Sequence, residues 1–185
     1  IPPTINSIAL IPFNKQSYIN GICEEQVFKV TKLNQTEYTL SDTISIQGSI
    51  GLAINTSDRI TNQEFSFGIY GIDLHQNDQF IYSMQYDNIN WEDSHKLYTE
   101  KNYSLSRKGK GKFYHLFISH ENQSLAFIDN QSLPKLINNK SGLSNSIIKV
   151  RDYSGNESII HLVFSNDVIP KFDYSVSFKN DVCFI

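Results

Sequence analysis

The sequence predicts an all-β protein, an immunoglobulin-like antiparallel β-sandwich with a long loop excursion. Short runs of alternating apolar and polar residues recur along the chain, and this is the period of a half-buried strand. Turn residues such as Asn20-Gly21 and Gly155-Asn156 separate the runs. No segment has the pattern of a helix of ordinary length. The term immunoglobulin-like refers to architecture alone, because the Cys…Trp…Cys spacing of antibody domains is missing.

The length of the chain allows one substantial sandwich domain or two small ones. The chain has 185 residues, 39% of them hydrophobic, which is enough for a sizeable core. The formal net charge of −3 argues against nucleic acid as a partner. No apolar run approaches the ~20 residues of a membrane-spanning helix. We therefore predict a sandwich over residues 1–166 and the start of a following, truncated β segment or domain over 167–185, both cut from a longer polypeptide.

In the first half of the chain, strands are predicted over residues 4–13, 26–33, 37–40 and 41–55. Asn34-Gln35 is expected to form a hairpin turn between the second and third of these. The last strand carries five apolar residues of one parity, Ile44, Ile46, Ile50, Leu52 and Ile54. Gly48 and Gly51 interrupt this strand, which indicates a bulge or a close approach of another backbone.

Two hairpins are the clearest local signals in the sequence. The first joins residues 67–74 to 79–85 across Gln76-Asn77-Asp78. The second covers 147–164, and its polar turn contains Asp152, Gly155 and Asn156. Gly155-Asn156 accepts positive φ, and the Asp152 carboxylate is expected to fold back onto the N–H groups of the turn. These three residues are predicted to be structural.

The long excursion, residues 86–112, is the predicted interaction surface. It lacks a sustained two-residue period, with one helical turn expected near Glu92–Leu97. It carries amphipathic aromatic residues and a basic run. Together they form the candidate surface: Trp91, Tyr98, Tyr103, Arg107, Lys108, Lys110 and Lys112. Two interpretations of Trp91 stay open here. The residue either plugs the edge of the core or is a contact residue for a partner.

The later part of the chain is predicted to contain three more strands. They cover residues 112–118, 125–128 and 172–178. Cys23 and Cys183 lie near opposite ends of the chain. They either form a disulfide or are two buried free thiols.

No arrangement of residues in the sequence indicates catalysis. The five histidines show no metal-ligand spacing, and neither a nucleophile elbow nor a glycine-rich phosphate loop is present. The adjacent Glu92-Asp93 pair beside Trp91 imitates a glycosidase carboxylate, but glycosidases place two carboxylates across a cleft. We therefore expect no catalytic residue, no metal and no cofactor in this chain.

Six segments in this order resemble a known family. They are IPPTINSIALIP, SYING, DTISIQGSIGLAINTSDR, FGIYGIDLHQNDQFIYS, YDNINWEDSHKLYTEKNY and IIKVRDYSGNESIIHLVF. This series is similar to the β-rich region that follows the catalytic domain in envelope metallopeptidases of the lysostaphin/LytM type, peptidase family M twenty-three. The resemblance implies the periplasm or outer cell envelope of a Gram-negative bacterium.

The zinc motifs of that family, H-x-x-x-D and H-x-H, are absent from this sequence. The resemblance therefore implies a non-catalytic accessory domain. It would position an upstream peptidase domain, or dock to a protein partner in an envelope or outer-membrane secretion assembly. The alternative is a carbohydrate-binding module for peptidoglycan, with Trp91 and the nearby tyrosines as stacking platforms.

Overall fold

The computed structural model describes residues 1–59, 65–89, 91–119, 128, 137–138, 142–166, 177–179 and 182–184. Across these residues the all-β prediction is confirmed. The strands are β1 (Thr4–Pro12), β2 (Tyr18–Ile19), β3 (Gln26–Lys29), β4 (Thr31–Lys32), β5 (Glu37–Thr39), β6 (Ile44–Gln47), β7 (Ser49–Arg59), β8 (Ser66–Phe67), β9 (Gly71–Gln76), β10 (Gln79–Gln85), β11 (Tyr114–His115), β12 (Ile137–Asn138), β13 (Gly142–Arg151), β14 (Glu157–Asn166), β15 (Ser177–Lys179) and β16 (Val182–Phe184).

The helical elements in the described ranges are short. They are a 3-10 helix, Trp91–Tyr98, and one α-helix, α1 (Tyr103–Arg107). The 3-10 helix confirms the helical turn expected near Glu92–Leu97, whereas the sequence pattern did not predict α1. Neither element has the length and apolar character needed to cross a membrane, and the same holds for every helix that the structure describes.

The strands form two large sheets and one small one. The six-stranded sheet has the order β11-β7-β1-β3, with β8 and β12 also paired to β7. The eight-stranded sheet has the order β10-β9-β13-β14-β5-β4, with β6 paired to both β14 and β2. Strands β15 and β16 form the small, two-stranded sheet.

The prediction that all pairing is antiparallel is wrong at one strand. β14 runs parallel to β5 and to β6, which pair with successive parts of it. The hairpin partner β13 occupies one edge of β14 along its whole length. The other edge is left for strands from the first third of the chain, and such distant segments reach it by a long connection of the kind parallel pairs require.

The core lies between the two large sheets. On the six-stranded sheet, the cross-strand pairs Ile8–Ile54 and Leu10–Leu52 are fully buried. From the eight-stranded sheet, side chains at every second position of β9, β13 and β14 pack into the same core. All five apolar residues predicted to share one parity, Ile44, Ile46, Ile50, Leu52 and Ile54, lie in this core.

The predicted strand 41–55 is divided at Gly48. Its first part is β6, in the eight-stranded sheet, and its second part is β7, in the six-stranded sheet. Gly48 has a φ of 73°, which a glycine adopts without steric cost. The predicted strand 26–33 is divided in the same way between β3 and β4. These two crossings link the sheets. At the crossing from β6 to β7 the alternation along the sequence continues, because both parts face one core.

The predicted hairpin at β9 and β10 is present, with Asn77 and Asp78 both at positive φ in its turn. Positive φ at both central residues is the geometry of the tight turn that suits twisted antiparallel strands. The register shifts between Phe80 and Tyr82. This bulge turns Phe80 outward, so it is half exposed and stacks edge-on against His75 with ring centroids 5.7 Å apart.

The turn between β13 and β14 has the geometry that its sequence requires. Gly155 has a φ of 83°, and the Asp152 carboxylate accepts hydrogen bonds from the Asn156 backbone N–H at 2.9 Å and from its side-chain amide at 2.6 Å. The Gly155 N–H donates to the Asp152 carbonyl at 3.2 Å. Asp152 is buried, so its acceptor atoms depend on these donors.

We expect Gly155→Val to destabilise the protein by about 1–3 kcal/mol. A side chain at this position has open space around it. The cost therefore comes from the backbone conformation alone. Chemical denaturation of the variant measures it, and a midpoint equal to that of the wild type would show that the turn tolerates a β-branched residue.

Some predictions fall outside the described residues or are corrected within them. Of strand 125–128, only Ile128 is described, bridging to Met84. Strand 172–178 is described at residues 177–178 only, and the division into 1–166 and 167–185 stays a prediction. Cys23 is exposed and free, so it is neither buried nor paired with Cys183.

Candidate functional site

The excursion after β10 is held to the six-stranded sheet at both ends of α1. Asn102 begins the helix, and its side chain accepts a hydrogen bond from the Leu105 N–H at 2.9 Å, which is the role of an N-cap residue. The Asn102 N–H donates to the Phe113 carbonyl at 2.9 Å. Lys101 forms an isolated bridge with Tyr114. The two segments that flank α1 therefore lie side by side.

Leu105 anchors α1 on the outer face of that sheet. It is 2% exposed and packs in a small apolar cluster with Ala9, Ala53 and Phe113. Ala9 and Ala53 are a cross-strand pair of β1 and β7, facing away from the main core. Two small residues at this place leave room for the leucine and the phenylalanine to sit directly on the sheet.

A polar contact ties the same helix to the segment after β2. Glu25 accepts a hydrogen bond from the Ser104 hydroxyl at 3.0 Å and forms an ion pair with Lys108. Lys108, predicted to belong to the interaction surface, is therefore engaged within the chain. An exposed ion pair of this kind contributes little energy by itself, so the apolar anchor dominates.

The three predicted aromatics all face solvent. Trp91 is 89% exposed, Tyr98 is 77% exposed and Tyr103 is 72% exposed. Of the two interpretations of Trp91, the core plug is therefore wrong. Within the excursion, Leu105 is buried against Phe113 and Tyr86 packs against the main core, whereas Trp91, Tyr98 and Tyr103 stay exposed.

The basic residues of the predicted surface do not form one cluster. The Arg107 guanidinium lies 6.0 Å from the centroid of the Tyr103 ring, a cation–π arrangement on the exposed side of α1. Lys110 is exposed in the loop after the helix. Lys112 lines a separate polar cavity with Asn55 and Tyr114. We therefore define the aromatic surface as the side chains of Trp91, Tyr98, Tyr103 and Arg107.

A buried carboxyl group that the sequence pattern did not reveal lies at the end of the 3-10 helix. Glu100 is 1% exposed, and burial raises its pKa, opposed in part by a hydrogen bond with Tyr86 and by the Lys101 ammonium 3.7 Å away. Burial, together with the Glu100 charge, raises the pKa of Tyr82 and raises the pKa of Tyr114 to about 12. The Glu100 carbonyl accepts a hydrogen bond from the His115 N–H at 2.7 Å, which ties this cluster to β11.

The partly buried His115 and the buried Glu100 make the stability of the folded chain depend on pH in opposite directions. Burial lowers the pKa of His115 to about 4 from the 6.5 of an unfolded histidine. The unfolded chain therefore takes up this proton first, and stability falls as the pH drops from 6.5 towards 4. The pKa of Glu100 is raised above its usual 4.5. Above pH 4.5 the folded chain therefore still holds a proton that the unfolded chain has lost, and the stability that this proton contributes falls as the pH rises further.

We expect His115→Gln to remove the loss of stability on acidification between pH 6.5 and pH 4. Glu100→Gln should have the opposite effect, because it removes a contribution that decreases as pH rises above 4.5. Urea denaturation of the three proteins at a series of pH values gives the slopes. Slopes that are the same in all three proteins would contradict the assignment of these groups.

Metal-ligating side chains do not cluster in the part of the chain that the structure describes. No group of three or more His, Cys, Asp and Glu side chains that could hold a metal ion occurs among those residues. Trp91 and Glu92 are both exposed at the start of the 3-10 helix. This part of the surface thus offers exposed aromatic rings and the Arg107 guanidinium for binding.

No family model, no curated protein and no solved structure matches this chain. The resemblance to the accessory region of envelope metallopeptidases therefore stays a prediction.

Proposed function

We propose that this chain is a non-catalytic accessory and interaction domain of a peptidoglycan-peptidase-like protein of the cell envelope. Its role would be to position a catalytic domain, or to dock to an envelope or outer-membrane secretion assembly. The family and the compartment, the periplasm or outer envelope of a Gram-negative bacterium, come from the resemblance of the sequence. The observation that carries the interaction role is the exposure of Trp91, at 89%.

An exposed tryptophan on a fixed scaffold favours recognition. Large aromatic side chains supply contact area with few rotatable bonds, and Trp, Tyr and Arg are enriched among the residues that dominate binding energy. The aromatic surface combines these three residue types. Leu105 holds α1 in place beneath Tyr103 and Arg107, so this part of the surface is preorganised before a partner arrives.

The dimensions of the 3-10 helix suit a partner that contacts an extended patch. Trp91 and Tyr98 are its first and last residues. With a rise of about 2 Å per residue, seven steps separate them by about 14 Å along the axis. Two exposed aromatics at that distance can occupy two separate pockets of one protein partner.

We expect Trp91→Ala to fold normally and to lose partner binding. Because the side chain is exposed, the free energy of unfolding should change by no more than about 0.5 kcal/mol. Binding should weaken by about 2 kcal/mol or more if Trp91 is an anchor. Thermal melting measures the first effect, and capture of envelope proteins from a detergent extract on the immobilised chain measures the second.

Tyr153→Ala is the matched control for this variant. Tyr153 is 88% exposed, like Trp91, but it lies in the turn between β13 and β14. The control should capture the same proteins as the wild type. Equal capture by all three proteins would contradict the proposed surface, and so would equal loss in both variants.

The alternative function, a carbohydrate-binding module for peptidoglycan, is favoured by the same exposed indole ring. Tryptophan and tyrosine rings offer apolar faces on which sugar rings can stack. Sedimentation with purified peptidoglycan sacculi separates the two functions. Binding to sacculi that depends on Trp91, without capture of envelope proteins, would replace the docking role by the carbohydrate role.

A further inference from the structure

A polar cavity opens at one end of the six-stranded sheet, where β1, β7, β8 and β11 meet. Its volume is about 400 Å³, and the side chains that matter for binding are Asn6, Asn55, Phe67, Lys101, Lys112 and Tyr114. The volume falls within the range of cavities that hold small ligands, roughly 300–1,000 Å³. Trp91, Tyr98 and Tyr103 do not line it.

The lining of this cavity is cationic. Lys101 is partly balanced by the Glu100 carboxylate, 3.7 Å from its ammonium group, and it also lies 5.2 Å from the centroid of the Tyr114 ring. Lys112 is exposed and has no ion-pair partner among the residues that the structure describes. One positive charge of the lining is therefore left uncompensated, which favours an anionic ligand.

The backbone next to Lys112 packs closely on Asn55, a residue of the cavity lining. Gly111 has a φ of 114°, and a Cβ built on it would lie 2.1 Å from the Asn55 amide nitrogen. The loop therefore lies directly on Asn55 and tolerates only glycine there. Lys112 follows immediately and is itself one of the residues that line the cavity.

Neutral hydrogen-bond donors and the Phe67 ring complete the lining. The Asn6 amide donates to the Asn55 side-chain oxygen at 3.2 Å, which leaves the second N–H of Asn6 for a ligand. Phe67 lies on the opposite strand β8 and is 43% exposed. An aromatic ring makes no favourable apolar contact with an inorganic anion. A sugar ring, by contrast, presents an apolar C–H face that can pack on the aromatic ring, as well as hydroxyl groups.

We propose that this cavity binds a carboxylate-bearing saccharide. The Lys112 ammonium contacts the carboxylate, the amides of Asn6 and Asn55 hydrogen-bond ring hydroxyls, and Phe67 packs on the sugar face. A charge-assisted contact with the carboxylate is the strongest of these, so it decides between charged and neutral sugars. The site is separate from the aromatic surface and does not depend on the docking function proposed above.

Titration of the full chain with two oligosaccharides tests the proposal. A hyaluronan tetrasaccharide supplies glucuronate carboxylates, and chitotetraose is the neutral comparison built from N-acetylglucosamine alone. In ¹⁵N–¹H spectra, the hyaluronan fragment should shift the side-chain amides of Asn6 and Asn55, with an affinity about tenfold or more above that of chitotetraose. Inorganic phosphate is titrated in parallel.

Two lysine variants sharpen the test. Lys112→Gln should lower the affinity for the hyaluronan fragment by about tenfold or more, while Lys110→Gln, two residues earlier and outside the cavity lining, should leave it unchanged. Asn6→Ala provides a second loss-of-binding variant should Lys112→Gln misfold. Tyr153→Ala, at an exposed position that belongs neither to the cavity lining nor to the aromatic surface, should bind the fragment like the wild type.

The remaining outcomes overturn the proposal. They are no binding of the hyaluronan fragment, equal affinity for both oligosaccharides, or shifts at amides remote from Asn6 and Asn55. Phosphate binding as tight as that of the hyaluronan fragment would show a general anion site and would equally reject the saccharide.

Discussion

The Gly48→Val variant should be among the least stable single variants of this protein. A valine at a φ of 73° is strained, and its Cβ would lie 2.9 Å from both the Gln16 carbonyl oxygen and the Ser17 hydroxyl oxygen. We expect about 1–3 kcal/mol from the backbone conformation and a similar amount from overpacking. Because typical domains are stable by only about 5–15 kcal/mol, this removes a large part of the total.

Comparison with Gly155→Val separates these two contributions. Both glycines have positive φ, but a Cβ at Gly155 has open space around it, whereas a Cβ at Gly48 meets backbone that no side-chain rotation can move away. The difference between the two variants in urea denaturation therefore measures the crowding at the crossing between sheets. Equal destabilisation of the two variants would show that Gln16 and Ser17 move aside freely.

Leu105→Ala should destabilise the protein by about 2–5 kcal/mol, because it leaves a cavity under α1. The side chain is 2% exposed and contacts a sheet face built from Ala9 and Ala53. A helix of five residues cannot persist without its tertiary anchor. We therefore expect the variant to lose the ordered position of Tyr103 and Arg107, and with it part of the binding energy of the aromatic surface.

Tyr103→Ala is the control within the same helix. Its side chain is 72% exposed, so the free energy of unfolding should change by no more than about 0.5 kcal/mol. Denaturation midpoints and partner capture are measured for both variants. If Leu105→Ala were as stable as Tyr103→Ala, α1 would not be anchored by its leucine.

The sequence allowed the local parts of the fold to be predicted. The hairpins at β9–β10 and β13–β14 depend on alternation and on turn residues a few positions apart, so Asn77, Asp78 and Gly155 were sufficient signals. The shared parity of Ile46 and Ile50 correctly indicated one core, although the two residues belong to different sheets. Parity carries no information on which sheet a strand joins.

The sequence could not show which side chains of the excursion would be buried. Trp91 is the larger apolar group, yet Leu105 is the anchor, because the available site on the sheet is the shallow place above Ala9 and Ala53. That site is formed by strands about 50 and 95 residues earlier, and no local pattern reports it. Trp91 is exposed because this site on the sheet is filled by Leu105 and Phe113, an arrangement that is visible only in the tertiary structure.

The polar cavity was equally hidden. Its lining comes from segments around Asn6, Asn55, Phe67 and Lys101, which are far apart in the chain. Lys112 alone was indicated, as part of the basic run. Gly111 is a sequence signal for the close packing at this place. Its φ of 114° is one that glycine adopts readily, and its backbone packs on Asn55 of the cavity lining.

The parallel pairing of β14 has a consequence for the order of folding. Thr39 on β5 and the His161 carbonyl on β14 are joined across 122 residues of sequence. Closing so long a loop is slow, and β5 and β6 keep one edge unpaired until β14 has been synthesised. During translation, the first third of this chain therefore has open strand edges, which are sites of aggregation, until β14 emerges and pairs with them.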